Sequence, residues 1–417
     1  MNSLNKFFGI LIFLSSVLIG QTPDYKKMDK YALSAPEHLK GKPKELAAYL
    51  IKPAENDFEK IRGIFRWVTN NIDYDVEGYL SGGDIYKSPE EAIKSGSAVC
   101  DGYAGVVSLL AGYAGLEVVK ISGFSKGYSY SVGDKMGRSN HAWNAVKIDD
   151  KWYLFDATWG AGAVDNSGKY NRNFQEHYFL TPPDKFIYDH FPDDKRWQLL
   201  DTPLSANEFL ALPYLRPQYF ETGLNILNLD NNVTRSGSER RIELEAPENV
   251  QVTVTLFASG EEDLSTFTFL QREGSKILVD VVFPKSGNYK LRLYSKFEDE
   301  PGSYSWAADY GFTVSDGMKN FSGFPLRYEQ FNITSSLLYQ PVSGALKLNS
   351  TYNFRLKVPG AEKVAVIIDG NFFFLTPVKE EANLFAGDVK ITGHKIMVGA
   401  NFGEGNRFEG LLGYSSK

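Results

Sequence analysis

The sequence predicts an α+β domain followed by two β-sandwiches, and three features point that way. Helical periodicity dominates before Gly115, and β-branched runs follow it within the same domain, the order of an α+β unit rather than a doubly wound sheet. From Tyr219 onward helical periodicity largely disappears. Short alternating runs take over there, among them "VQVTVTLF", "KILVDVVF", "YKLRLYSKF" and "NFRLKV", at the spacing of sandwich strands.

The elements follow in order. Met1 to Asn5, Lys6 and the apolar run "FFGILIFLSSVLIG" have the layout of a signal peptide, residues 1–20, too short for a comfortable membrane span. In "NDFEKIRGIFRWVTNNI", Phe58, Ile61, Ile64, Phe65, Val68 and Ile72 share one helical face behind a cap at Asn56 or Asp57. "KSPEEAIKSG" reads as a shorter helix with Ser88 as cap, Pro89 in the first helical position and Gly96 as stop. "CDGYAGVVSLLAGYAG" is apolar around most of its circumference and reads as a buried helix, which puts Cys100 in its first turn. "LEVVKISGF" is a strand, and "NHAWNAVKIDDKWYLFDATWG" is a hairpin turning at Asp149-Asp150.

The first domain is expected to span 21–216, ending where Pro213 and Pro217 punctuate the chain. The sandwiches are expected at 217–316 and 317–417, each of immunoglobulin-like size. A faint repeat supports two copies, since the segment beginning at Ser286 resembles the one beginning at Thr392.

The formal net charge is −6 and the charges are interspersed, which gives no support for nucleic-acid binding. The leader and the lack of disulfides suit a secreted or periplasmic protein of a bacterial envelope. One cysteine in 417 residues makes no intrachain disulfide, so retaining it in an exported chain hints at chemistry. Free cysteine is also among the most buried residue types, so the competing view is simple packing.

A thiol attacks as thiolate, and a helix N-terminus favours that form. Asp101 opposes it, so a cation is needed, usually imidazolium. Of the five histidines, His38 and His394 lie far along the chain from Cys100, and His177 and His190 sit in loop or aromatic contexts. His141 alone begins a strand leading into a hairpin that bears an acid. A two-residue turn at Asp149-Asp150 pairs Trp143 with Asp156 and His141 with Thr158. His141 and Asp156 then become diagonal neighbours, roughly 7–8 Å apart at the backbone and within side-chain reach. Cys100, His141 and Asp156 are therefore the candidate relay. Metal catalysis ranks low, because the histidines and the cysteine show no ligand spacing.

The words "GSAVCDGYAGVVSLLAGYAGLEV", "SNHAWNAVKIDDKWYLFDATWGAG" and "YFLTPP" resemble the transglutaminase-like cysteine enzyme superfamily, more narrowly its kyphoscoliosis peptidase-like group, over about Phe58 to Leu200. The resemblance implies a transglutaminase-like (papain-like cysteine peptidase) fold. It puts the nucleophile on Cys100, the base on His141 and the orienting acid on Asp156, with no cofactor. An oxyanion hole would include the Cys100 N–H; Tyr74 and Trp67 are the two side chains considered for a second donor. Trp143, Trp152 and Trp159 would wall the cleft or pack beneath it, and Trp143 and Trp159 are the substrate-binding candidates.

Three activities remain open. A peptidase or amidase acting on protein or peptide substrates is favoured, because no calcium-binding signature is present. A cross-linking transglutaminase would use the same triad. A scaffold would retain the fold and bind a cell-surface or structural protein through the sandwiches. Arylamine N-acetyltransferase ranks below these, since "SGSAVC" departs from the R-G-G-x-C word that enzyme expects.

Overall fold

The computed structural model describes residues 24–417 except 82–85, 129, 166, 230, 260 and 404. The expected leader, 1–20, lies outside the described residues. No described helix is long and apolar enough to cross a membrane.

The helical layer opens with Lys26–Leu33 and Pro43–Leu50, then the long helix Asp57–Asn71. Asn56 caps that helix, its Oδ1 accepting the Glu59 N–H at 2.9 Å. Ser88 and Glu91 form a capping box ahead of Pro89–Ser95, and Gly96 ends that helix at φ 67°, a left-handed stop that glycine adopts without a Cβ penalty. These helices pack on the central helix Cys100–Tyr113, whose buried face carries Tyr103, Val106, Val107, Leu110 and Ala111.

The other layer is a four-stranded antiparallel sheet in the order Lys151–Phe155, His141–Ile148, Glu117–Ser125, His190–Pro192. Asn144, fully buried, donates from its side chain to Ala104 O at 3.1 Å and so ties the sheet to the Cys100 helix. The hairpin has the expected register: Asn144 pairs with Phe155 and Ala145 with Leu154, around Asp149 and Asp150 at φ 49° and 60°. Two successive positive φ angles make the tight turn whose twist matches that of the strands. Pairing stops at Phe155. The expected strand beyond it is replaced by the short helix Ala157–Ala161, because the Asp156 carboxylate accepts from the N–H groups of Thr158 and Trp159 and caps a helix there.

Two sandwiches follow, each with its own core. In the first, strands Glu239–Glu245, Lys276–Val282 and Thr268–Glu273 face strands Val233–Ser236, Ser305–Val314, Gly287–Phe297 and Val250–Ala258. In the second, a sheet built on Lys363–Ile368, Ile396–Asn401 and Glu409–Ser416 faces one built on Thr351–Lys357 and Leu384–Lys390. The first sandwich is bonded directly to the α+β domain: Tyr214–Leu215 pairs with Ala308–Asp309, and the Asn232 side chain donates to the Tyr130 hydroxyl at 2.9 Å.

Candidate active site

Cys100 is the first residue of its helix, after Val99 in extended conformation with no side-chain cap. The first-turn N–H groups therefore have no side-chain cap competing for them, and the helix start carries partial positive charge beside Cys100. The small residues of "SGSAVCDGYAG" are explained by close approach, since a Cβ on Gly102 would sit 2.7 Å from the Ala98 Cβ. Asp101, the expected obstacle to ionisation, is turned aside into an ion pair with Lys120 at 2.7 Å.

His141 is the first residue of its strand, held by its neighbour: Asn140 Oδ1 accepts the Ser125 N–H at 2.7 Å. His141 Nε2 lies 2.7 Å from Asp156 Oδ2, which leaves Nδ1 for Cys100, whose thiol the imidazole draws below its usual value. Asp156 is fully buried and serves twice: Oδ1 caps the Ala157–Ala161 helix and Oδ2 orients the imidazole. The helix that replaced the expected strand is therefore what aims the carboxylate.

The electrostatics follow from this geometry. Burial pushes the Cys100 thiol up, but the hydrogen bond and charge of His141, with a backbone hydrogen bond from Ala142, hold it below its usual value. Burial disfavours the His141 cation, yet the charge and hydrogen bond of Asp156, together with Cys100, raise it to about 10. Burial likewise opposes the Asp156 anion, and His141 followed by His190 holds it well below the carboxylate range. A thiol lowered by a neighbouring imidazole that is itself raised by a buried carboxylate is the direction expected of an activated cysteine.

Behind the relay stands a second histidine that the sequence reading had set aside. His190 Nε2 lies 3.2 Å from Asp156 Oδ2, its Nδ1 lies 2.6 Å from Asp189 Oδ1, and the Tyr178 hydroxyl donates to Asp189 Oδ2 at 3.0 Å. Phe186 stacks on His190 at 4.0 Å and Trp159 lies 4.5 Å from it, so the chain of acids and bases is enclosed by aromatic rings. The local signal was the Asp189-His190 pair itself. The three-residue strand that places it beside Asp156 has no periodicity to read.

Donor atoms of His141, Asp156 and His190 lie within 4.8 Å of one another, the spacing of a possible metal triad. Asp156 Oδ2 already faces both Nε2 atoms at hydrogen-bonding distance, however, and an ion would displace the protons there and take the base from Cys100.

A cavity of about 570 Å³ opens beside His141, lined among others by Tyr74, Trp159, Tyr178, Arg216 and Trp306. Cys100 is not part of that lining, although it keeps partial exposure. Of the two tryptophans expected to meet substrate, Trp159 lines the cavity, while Trp143 is 1% exposed and packs beside His141 and His190. Trp67 is buried in the helical core. Tyr74, whose phenol is pushed up by burial and then by the Cys100 charge, is brought close by the pairing of Asp73–Tyr74 with Ser97–Ala98.

Comparison with known families agrees with this architecture. Residues 44–157, which include Cys100, His141 and Asp156, match the model of the transglutaminase-like superfamily, and 206–325 match that of the KY-like, immunoglobulin-like domain. The chain carries a transglutaminase-like domain followed by a KY-like, immunoglobulin-like domain. It is 33% identical over 271 residues to the kyphoscoliosis peptidase of Mus musculus, covering 64% of this chain and 40% of that protein. The Homo sapiens kyphoscoliosis peptidase is 32% identical over 277 residues, covering 65% and 40%. Hillarin of Drosophila melanogaster is 32% identical over 219 residues, covering 48% and 26%. The chain thus spans about two fifths of the length of the two kyphoscoliosis peptidases. These relatives are animal proteins, and the expected bacterial source and export draw no support from them. The transglutaminase-like domain brings a thiol-enzyme type of fold, as the resemblance implied.

Proposed function

We propose that this chain is a thiol-dependent acyl-transfer enzyme acting on protein or peptide carbonyls through Cys100, His141 and Asp156, with hydrolysis as its outcome. The observation that carries the reading is the position of His141, 2.7 Å from the buried Asp156 carboxylate, with a Cys100 thiol that it draws below its usual value.

The Cys100 sulfur attacks the carbonyl carbon, and the oxyanion is met by the Cys100 N–H at the helix start and by the Tyr74 hydroxyl. His141, already protonated, gives its proton to the departing amine as the C–N bond breaks, leaving a thioester. Water then attacks, His141 takes its proton, and the C–S bond breaks to release the acid and restore the thiolate. Asp156 stays ionised throughout and holds the imidazole in position. Trp159 supplies an apolar wall for the substrate.

Several expectations from the sequence belong to the same proposal: domain limits at 216 and 316, export directed by residues 1–20, and a protein partner for the sandwiches. The test is incubation of the purified chain with a peptide mixture, with and without an added primary amine, and mass spectrometry of the products. New amine termini in both conditions support hydrolysis. Amine adducts alone give the cross-linking outcome. Neither product, with Cys100→Ala indistinguishable from the parent in its biological effect, leaves a scaffold.

A further inference from the structure

The cavity beside His141 is also lined by Arg216, at the junction of the two domains, and by Trp306 of the first sandwich, and these supply donors without acceptors. Arg216 is fixed there through its backbone, its N–H donating to Ala307 O at 2.8 Å just before the Pro217–Glu221 helix. Its guanidinium makes one hydrogen bond, from Nη1 to the Tyr214 hydroxyl at 3.0 Å, and lies 5.0 Å from the Trp306 ring. Among the described residues it has no carboxylate partner. Asp189 is the acid whose charge reaches it, but both oxygens of Asp189 are taken, by His190 and Tyr178. Asp165, which lines the cavity, is occupied by Ser167, Asn171 and the Lys169 N–H.

Trp306 Nε1 and, elsewhere in the cavity lining, Thr158 Oγ1 and the Tyr170 hydroxyl are buried without a hydrogen-bond partner. Buried donors left unmade are costly, and a guanidinium offers five N–H groups in a fork that matches a carboxylate. The volume is within the range of roughly 300–1,000 Å³ common to ligand pockets. Tyr74, Trp159 and Tyr178 line the cavity with aromatic rings, as a peptide chain requires.

We infer that this cavity is a carboxylate-reading subsite in which Arg216 pairs with a carboxylate of a bound peptide while the chain lies against Trp306. The KY-like domain is then part of the substrate cleft and selects acidic substrates. The carboxylate comes from a Glu or Asp side chain or from a free C-terminus. That the bound peptide is also the acyl donor rests on the proposed acyl-transfer function; the binding itself does not.

The test separates the two. The full chain carrying Cys100→Ala is titrated by calorimetry with three acetylated alanine pentapeptides: one with a central Glu and an amidated end, one with a central Gln and an amidated end, and one with a central Gln and a free carboxylate end. One of the two carboxylate peptides is expected to bind about tenfold tighter than the blocked Gln peptide, a difference of about 1.4 kcal/mol, and its identity names the source. Arg216→Gln is expected to bring the ratio to about one, and Arg216→Lys to retain part of it, the lysine serving as the readout if the glutamine variant does not fold. Three peptides that bind alike, no binding by any, or a ratio that survives in Arg216→Gln overturns the inference. A wild-type chain that binds the carboxylate peptide yet neither cleaves nor transfers defeats only the acyl-transfer reading.

Discussion

His190 Nε2 lies 3.2 Å from Asp156 Oδ2, on an oxygen that also faces His141 Nε2 at 2.7 Å. One buried carboxylate oxygen therefore serves two imidazoles, and the second of them is anchored by Asp189. The arrangement makes His190 a positioning residue: it fixes the acid that fixes the base. His190→Gln is expected to slow the reaction of Cys100 with a peptide electrophile by about 10- to 100-fold, the size of effect seen when the outer-shell partner of a metal-bound histidine is lost. Asp189→Asn should give part of the same loss. A merely structural role would instead lower the melting temperature and leave the pH profile of labelling where it was.

Asp156→Asn tests the charge rather than the geometry. The His141 cation is raised to about 10, with burial working against it and Asp156 as the largest stabiliser. A raised folded value means the imidazolium is present below it and lost as pH climbs through it. The high-pH limb of Cys100 labelling should therefore lie near 10 in the parent and move down in Asp156→Asn, towards the ordinary imidazole value near 6.5. An unmoved limb contradicts the assignment of that limb to His141.

Gly102→Ala tests why small residues surround the cysteine. The new Cβ meets Ala98 Cβ at 2.7 Å, so the helix start has to shift. Overpacking of this kind costs about 1–3 kcal/mol. The expectation is a lower melting temperature together with slower labelling, because the displaced first turn carries Cys100. Loss of stability with an unchanged labelling rate would disconnect the two.

Lys126 gives a stability prediction independent of the relay. It is fully buried, donates to Phe209 O at 3.0 Å and Leu212 O at 3.1 Å, and burial, partly offset by Asp189, lowers its ammonium to about 7. An unfolded lysine titrates near 10.4, so between about 7 and 10.4 the unfolded state binds the extra proton and stability rises with pH, by ~1.4 kcal/mol per unit of difference at most. Denaturant melts from pH 7 to 9 should show this rise in the parent and a flatter course in Lys126→Met. Parallel curves would remove the lysine from the account.

The legible and illegible parts of the structure divide by locality. Asp149-Asp150 set the hairpin register from two residues, because two positive φ angles admit few turns, and that register carries the chain to Phe155, after which the helix capped by Asp156 turns its carboxylate to His141. The capping box at Ser88 and the stop at Gly96 were equally local. What lay hidden was the helical turn after Phe155, where an aspartate at a strand end reads equally well as a strand residue or as a cap. His190 was hidden too, since its strand is three residues long and pairs with Ser125, 65 positions upstream. The cavity wall contributed by Arg216 and Trp306 depends on how two domains dock, which no spacing within either reveals.

The central claim is that Cys100 is held as a thiolate by His141, and the most direct measurement is the pH dependence of alkylation at Cys100. The full chain would be treated with a peptide electrophile from pH 4 to 11 and the modified residue quantified by mass spectrometry, in parallel with His141→Ala. The account predicts fast labelling across neutral pH, a low-pH limb below the free-thiol value of about 8.5 and a high-pH limb near 10. In His141→Ala it predicts a single rise at or above the free-thiol value. A parent profile that coincides with the His141→Ala profile would contradict it.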